Sequence, residues 1–142
     1  MKYEYLTHTA DLKVKAYGKT LEEAFANLAI GAFDFLTDTS KVKKKIEKRI
    51  SKRAKRLEAL LYDFIEELLF LLDTEGFIIS DFKDMKIKQA KDSCELECTA
   101  VGDNYKNYEI KGDIKAITYS EMEIKKEKEK KDGFVLVAVF DI

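Results

Sequence analysis

Apolar and polar residues alternate twice at the start of the chain. Tyr3 and Tyr5 form one short series. Leu12, Val14 and Ala16, interleaved with Lys13, Lys15 and Tyr17, form a second, and each predicts a strand. At Thr20 the period changes. Thr20 and Glu23 make a capping box, and Leu21, Ala24, Phe25, Leu28, Ala29, Ala32, Phe33 and Leu36 follow at spacings of three and four, which predicts a first helix over 21–36. Leu57, Leu60, Leu61, Phe64, Ile65, Leu68, Leu69 and Leu72 predict a second helix. It ends before Gly76, a residue suited to the position just past a helix end. The apolar face of this second helix is wide enough to cover a sheet.

After Gly76 the period becomes two, over 77–79, 82–87, 94–100, 108–124 in two pieces, and 134–142. The polar stretch from Lys125 to Gly133 ends in Asp-Gly, as a hairpin connection does, so strand, turn and final strand are expected there. Runs of strands outside the helices argue against regular βαβ winding. The expected architecture is α+β: a single compact domain over 1–142, a mainly antiparallel or mixed sheet packed with two amphipathic helices. Segment 41–56 is less plain. Val42, Ile46, Ile50 and Ala54 recur every four residues, and this periodicity taken alone predicts a helix.

A chain of 142 residues that is 46% hydrophobic is long enough to bury about 68% of its unfolded surface and too apolar to stay disordered. Its 26 Lys and Arg nearly balance 27 Asp and Glu, so bulk charge names no partner. Charge placement says more. Ten of the sixteen residues in 41–56 are Lys or Arg and one is Glu47, so the segment carries +9 and the remainder −10. Two readings stay open for it: a solvated face, or a surface for phosphate backbone or an acidic protein patch. No aromatic residue interleaves the run, so stacking on single-stranded bases is not supported there. No apolar run approaches the ~20 residues that span a bilayer, and the N-terminus lacks a secretory layout. The expected location is cytoplasmic, with no membrane partner.

Cys94 and Cys98 lie in an alternating stretch, where four residues of strand span about 13 Å, beyond the ~7 Å at which a disulfide closes. They are expected as reduced core thiols. With His8 as the only other imidazole or thiol, a structural zinc site lacks ligands. Gly18-Lys19-Thr20 ends like a phosphate-binding loop, but position 13 is Lys13 where that motif needs glycine, so Thr20 is left as a helix cap. No Gly-x-Ser-x-Gly element occurs, and a lone histidine leaves little material for a nucleophilic triad.

Two polar groups remain. His8-Thr9-Ala10-Asp11 forms a knot between the first two strands, where His8 reads either as a hydrogen-bonded packing residue or as a functional one. Phe140-Asp141-Ile142 follows five apolar residues, Val135 to Val139, whose composition predicts a central strand. That strand would hold the Asp141 side chain and the Ile142 α-carboxylate within a few ångströms of each other. Adjacent anions repel unless a Lys, an Arg or a hard cation is near. If Asp11 joins them, three carboxylates describe an oxygen site for Ca²⁺, Mg²⁺ or Mn²⁺. Lys115 reads as a counter-ion, a phosphate grip or a solvated strand residue.

Taken together, several pieces in order and at fitting spacing resemble the archease family: His8-Thr9-Ala10-Asp11, Gly18-Lys19-Thr20-Leu21-Glu22-Glu23-Ala24-Phe25, Leu57-Glu58-Ala59-Leu60-Leu61 with Glu66-Glu67-Leu68-Leu69, Ile114-Lys115-Ala116-Ile117-Thr118-Tyr119, and Asp141-Ile142. The resemblance covers essentially the full chain. It implies a protein cofactor of the tRNA-splicing RNA ligase, which joins RNA ends through a guanylylated histidine. Archease promotes that guanylylation and multiple turnover and is an activator, not itself a catalyst. The resemblance also implies a cation site on Asp11, Asp141 and Ile142, with Ca²⁺ as the first expectation and Mg²⁺ or Mn²⁺ as alternatives. It makes Lys115 a functional residue, beside His8 and Asp11. Two family histidines are replaced, by Ser120 and Tyr108. The family's segment before the second helix is acidic and strand-like, so the resemblance predicts strand over 43–53 where periodicity predicts helix, and strand is the expectation adopted. Indirect or weak RNA contact through 41–56 is a further expectation. The alternatives are a general chaperone or modulator of nucleic-acid-modifying enzymes and, last, a metal-dependent phosphoesterase.

Overall fold

A computed structural model describes residues 1–127 and 133–142 of the chain. Its first helix begins where the capping box places it. Thr20 is extended (φ −122°) and its hydroxyl accepts the Glu23 N–H at 3.1 Å, so α1 runs Leu21–Asp34. It stops two residues before the expected Leu36. The N–H groups of Phe35 and Leu36 turn to the carbonyls of Ala32 and Phe33, which tightens the last turn and ends the helix while Leu36 stays buried. The second helix, α2, spans Leu57–Glu75. It closes at Gly76, whose φ of +68° lets its N–H reach the Leu71 and Leu72 carbonyls.

The strands are β1 (Tyr3–Leu6), β2 (Asp11–Gly18), β3 (Ile46–Ala54), β4 (Phe77–Gln89), β5 (Cys94–Asn104), β6 (Ala116–Lys126) and β7 (Phe134–Asp141). The expected antiparallel strands and two helices are present, divided into a four-stranded sheet, β1-β2-β7-β6, and a three-stranded sheet, β3-β5-β4. The apolar final strand is central, between β2 and β6. Leu12, Val14 and Ala16 of β2 and Leu136, Ala138 and Phe140 of β7 face the core with the buried seams of both helices. Helix α1 packs on β2, β7 and β4, and α2 packs on β6 and β3. Close approach at one corner demands glycine. A Cβ on Gly18 would sit 2.3 Å from the backbone nitrogen of Ala24, where the end of β2 meets the start of α1.

Two further expectations change, and the segment on which periodicity and resemblance disagree is decided for strand. Segment 41–56 is not a helix: residues 39–41 form a short 3-10 turn and 46–54 are β3, in line with the strand expected over 43–53. Apolar residues every fourth position also keep one face of a strand, and here that face carries Ile46, Ile50 and Ala54 toward α2 with Lys48 and Lys52 between them. Residues 77–79 and 82–87 belong to one strand, β4. Its alternation breaks at register shifts between Ile79 and Asp81 and between Lys83 and Lys86, with Asp84 at φ +53°. Residues 108–115 are irregular; only 116–126 of the two expected pieces is strand. The apparent alternation there comes from Ile110 and Ile114, which pack on the core from a loop held by Tyr108. The Tyr108 hydroxyl donates to Asp103 at 2.7 Å and accepts the Lys43 N–H at 2.8 Å. The tip of the expected hairpin, 128–132, lies outside the described residues, although β6 and β7 are antiparallel neighbours.

Candidate carboxylate site

Strand β2 begins at Asp11 and β7 ends at Asp141, and the antiparallel register sets the two opposite each other. Directly opposed residues of such a pair hold their Cβ atoms about 4.5–5.5 Å apart. Even-numbered residues of β2 face the core, so Asp11 shares the outer side of the sheet with Lys13, Lys15 and Tyr17. On the other flank Asp141 pairs with Ala116 of β6, and its carbonyl accepts the Lys115 N–H at 2.7 Å. One end of the four-stranded sheet therefore gathers Asp11, Asp141 and Lys115, with Ile142 following Asp141. Lys115 is held by its backbone and leaves its side chain exposed.

His8 completes the group. Its Nδ1 lies 3.4 Å from an Asp11 carboxylate oxygen, and its Nε2 lies 2.7 Å from the carboxylate of Glu121. Lys13 reaches the other Glu121 oxygen at 3.1 Å. These two hydrogen bonds, that from His8 first, hold the Glu121 carboxyl below the ordinary carboxylate range. Glu121 has φ +57° and sits in a bulge, since Thr118 pairs with Val139 and Glu123 with Val137, leaving four residues of β6 against one of β7. Sequence reasoning missed Glu121. A signal exists: apolar positions shift phase between Ile117 and the pair Met122 and Ile124, as an inserted bulge requires.

The electrostatics of the pair are unbalanced. Among the described residues no Lys or Arg lies within ion-pair distance of the Asp11 or Asp141 side chain, and Asp11 has only His8. Like charges directly opposed across a ladder are destabilising. A hard cation would remove the repulsion, and the donor set of carboxylate oxygens suits one. Among the described residues no three His, Cys, Asp or Glu side chains gather as a metal-binding group, so the protein offers a pair of side-chain donors rather than a full cage.

The basic segment is arranged otherwise. Lys48 and Lys52 meet Glu75 and Glu67 of α2 at 2.6 and 2.9 Å, Arg49 and Arg53 meet Glu97 and Glu95 of β5 at 3.4 and 3.5 Å, and Lys44 lies 3.9 Å from Asp81. Much of the charge that looks self-repelling in the sequence is thus matched by acids on neighbouring elements. Cys94 and Cys98 are buried free thiols, and burial pushes Cys98 up to about 12. Tyr108 serves the loop described above, and Ser120 is exposed in the β6 bulge. A cavity of about 520 Å³ is lined by Leu72, Gly76, Tyr105 and Ile110 among others, and by none of His8, Asp11, Lys115 and Asp141. No helix among the described residues is long and apolar enough to cross a membrane.

Residues 3–142 match the model of the Archease protein family. The chain is 42% identical to protein archease of Pyrococcus furiosus over 127 residues, 88% of this chain and 89% of that one. It is 36% identical to protein archease of Methanosarcina barkeri over 143 residues, 99% and 96% of the two chains. Among solved structures it is similar to Methanobacterium thermoautotrophicum protein 1598, with a TM-score of 0.81, 34% identity, and coverage of 99% of this chain and 98% of that one. It also shares the fold of a Thermotoga maritima protein described as an archease, possible chaperone, with a TM-score of 0.55, 19% identity, and coverage of 98% and 96%.

Proposed function

Because the chain belongs to the archease family, we propose that it is a protein activator of a tRNA-splicing RNA ligase in the cytoplasm. In this reading it promotes guanylylation of the ligase and its repeated turnover without catalysing either by itself. The observation that carries the reading is the Asp11–Asp141 pair: two opposed carboxylates, at an exposed sheet end, with His8 beside Asp11 and no Lys or Arg among the described residues within ion-pair distance of either. Asp11, Asp141 and Ile142 would hold a divalent cation, Ca²⁺ first, with Mg²⁺ and Mn²⁺ served by the same oxygen chemistry. When bound, such an ion supplies positive charge against nucleotide phosphates. Ca²⁺ takes about six to eight oxygen ligands, so a site with two side-chain carboxylates keeps positions open. Oxygens of the ligase or of a nucleotide would fill them, which suits a protein that works only inside a complex.

Lys115, exposed and tied through its backbone N–H to the Asp141 carbonyl, would meet a phosphate in this reading; His8 holds the Asp11 side. RNA contact through 41–56 rests on the flanking cations, Lys41, Lys43, Lys45, Lys55 and Arg56, because Lys44, Lys48, Arg49, Lys52 and Arg53 are engaged with acids. A chaperone-like modulator is the second reading, favoured by the exposed aromatic rings of Phe70 and Tyr119, 55% and 51% accessible. Guanylyl transfer from GTP to the matching ligase, measured under repeated turnover, separates the two. The activator reading expects stimulation by the native chain and at least tenfold less by Asp11→Ala and Asp141→Ala. A native chain that gives no stimulation would move the weight to the chaperone-like reading, and phosphodiester hydrolysis by the isolated protein, lost in Asp11→Ala, would revive the phosphoesterase.

A further inference from the structure

The contact between β6 and the β1–β2 connection crosses the sheet end by a path that ordinary strand pairing does not provide. Glu121 stands in the left-handed region at φ +57°, a conformation that side-chain-bearing residues adopt at a cost, inside a bulge that turns its carboxylate toward His8. The connection it meets is equally unusual, because Ala10 has φ +63° directly before Asp11. One carboxylate bridges two cations or donors from different places: His8 Nε2 at 2.7 Å in the connection, and Lys13 Nζ at 3.1 Å in β2. The opposite ring nitrogen of His8 is enclosed, makes no hydrogen bond, and lies 3.4 Å from Asp11. Fixing one nitrogen of an imidazole fixes the plane and direction of the other. The carboxylate of Glu121 thereby sets where the His8 ring stands against Asp11.

We propose that Glu121 is a positioning residue for the carboxylate pair: through His8 it holds the connection that presents Asp11 opposite Asp141. The proposal rests on the reading of that pair as the cation-binding group. Lys13 offsets the charge of Glu121, so the effect of Glu121 is chiefly geometric rather than a contribution of negative charge to the site.

The test is calorimetric titration of the full chain with CaCl₂, for the native protein, Asp11→Ala, His8→Ala, Glu121→Ala, Glu121→Gln and the His8→Ala/Glu121→Ala double variant. Glu121→Ala is expected to weaken Ca²⁺ binding about tenfold, as loss of an outer partner of a metal site does. Glu121→Gln loses the same charge but keeps an acceptor oxygen for His8, and is expected within about twofold of native. His8→Ala should lose as much as Glu121→Ala, and the double variant no more than either, because the two act as one unit. Glycine accepts φ +57° without strain, so Glu121→Gly gives a folded chain lacking the carboxylate should the alanine variant misfold, with the same tenfold loss expected. The proposal is overturned if Asp11→Ala abolishes binding while Glu121→Ala and Glu121→Gly bind as native, or if the single losses multiply in the double variant. Native and Asp11→Ala chains that bind alike, or a native chain that does not bind, would overturn the cation reading itself and this proposal with it.

Discussion

In the four-stranded sheet the central strand β7 is apolar on both sides: Leu136, Ala138 and Phe140 face the helices, while Val135, Val137 and Val139 are also buried, beside Tyr17, Lys15 and Lys13 of β2. The central strand of the three-stranded sheet, β5, instead alternates Cys94, Leu96 and Cys98 inward with Glu95 and Glu97 outward, where Arg53 and Arg49 meet them. One sheet buries both sides of its central strand and leaves two opposed carboxylates at its end with no Lys or Arg within ion-pair distance among the described residues. The other keeps a wet outer face and matches its charges across strands. The opposed Asp pair is the feature of this contrast that the proposed cation would account for.

The contrast makes the inner side of β7 the costliest place to cut. Phe140 is fully buried beside Asp141, and Phe140→Ala is expected to lose about 3–5 kcal/mol in denaturant unfolding. A loss below about 1 kcal/mol would mean that β7 is not the rigid mount of the carboxylate pair. Next comes the outer side. Val137→Ala removes two buried methyl groups and is expected to cost about 1.5 kcal/mol, a value that an exposed strand residue would not reach.

The pH dependence tests the opposite end of the three-stranded sheet. Asp103 is buried at the end of β5, and hydrogen bonds from the Tyr108 hydroxyl and then the Asn104 N–H hold its carboxyl below the ordinary range. Its contribution to stability is fully present above about pH 4, where the unfolded carboxyl is ionised, and is lost as pH falls through the lower folded value. Asp103→Asn should therefore be less stable than native at pH 6 and should lose less stability between pH 4 and 2. Parallel curves in that window would show that Asp103 is not the acid-sensitive group. Glu121 is shifted in the same direction and supplies part of the slope that remains.

The parts of the fold that were legible are those whose signals are local. Thr20 and Glu23 mark a helix start within one turn, Gly76 marks an end, and five apolar residues after Phe134 identify a central strand without reference to its neighbours. Segment 41–56 was not legible by periodicity because a repeat of four fits one face of a helix and one face of a strand alike. The deciding partners, Glu67 and Glu75 for Lys52 and Lys48, lie on α2. The candidate site divides in the same way. Asp11, Asp141, Lys115 and His8 stand at strand ends where a short motif reveals them. Glu121 meets His8 across 113 residues, in a backbone conformation its residue type does not announce.

The smallest expected effect bears on the charged face that gives the comparison its other half. Arg49 and Glu97 face each other at 3.4 Å with more than half of each side chain exposed. Screening and the entropy of holding two long side chains offset most of the attraction in such a pair. Glu97→Ala should therefore change unfolding free energy by less than about 0.5 kcal/mol. It should leave the Ca²⁺ titration unchanged, since β5 belongs to the other sheet from Asp11 and Asp141. A cost above about 1 kcal/mol that fades with added salt would show that the pairs along β3 and β5 act as a cooperative network. The three-stranded sheet would then draw stability from its outer face as the four-stranded sheet does from its valines, and the matched charges would cease to be a neutral background against which the Asp11–Asp141 pair stands out.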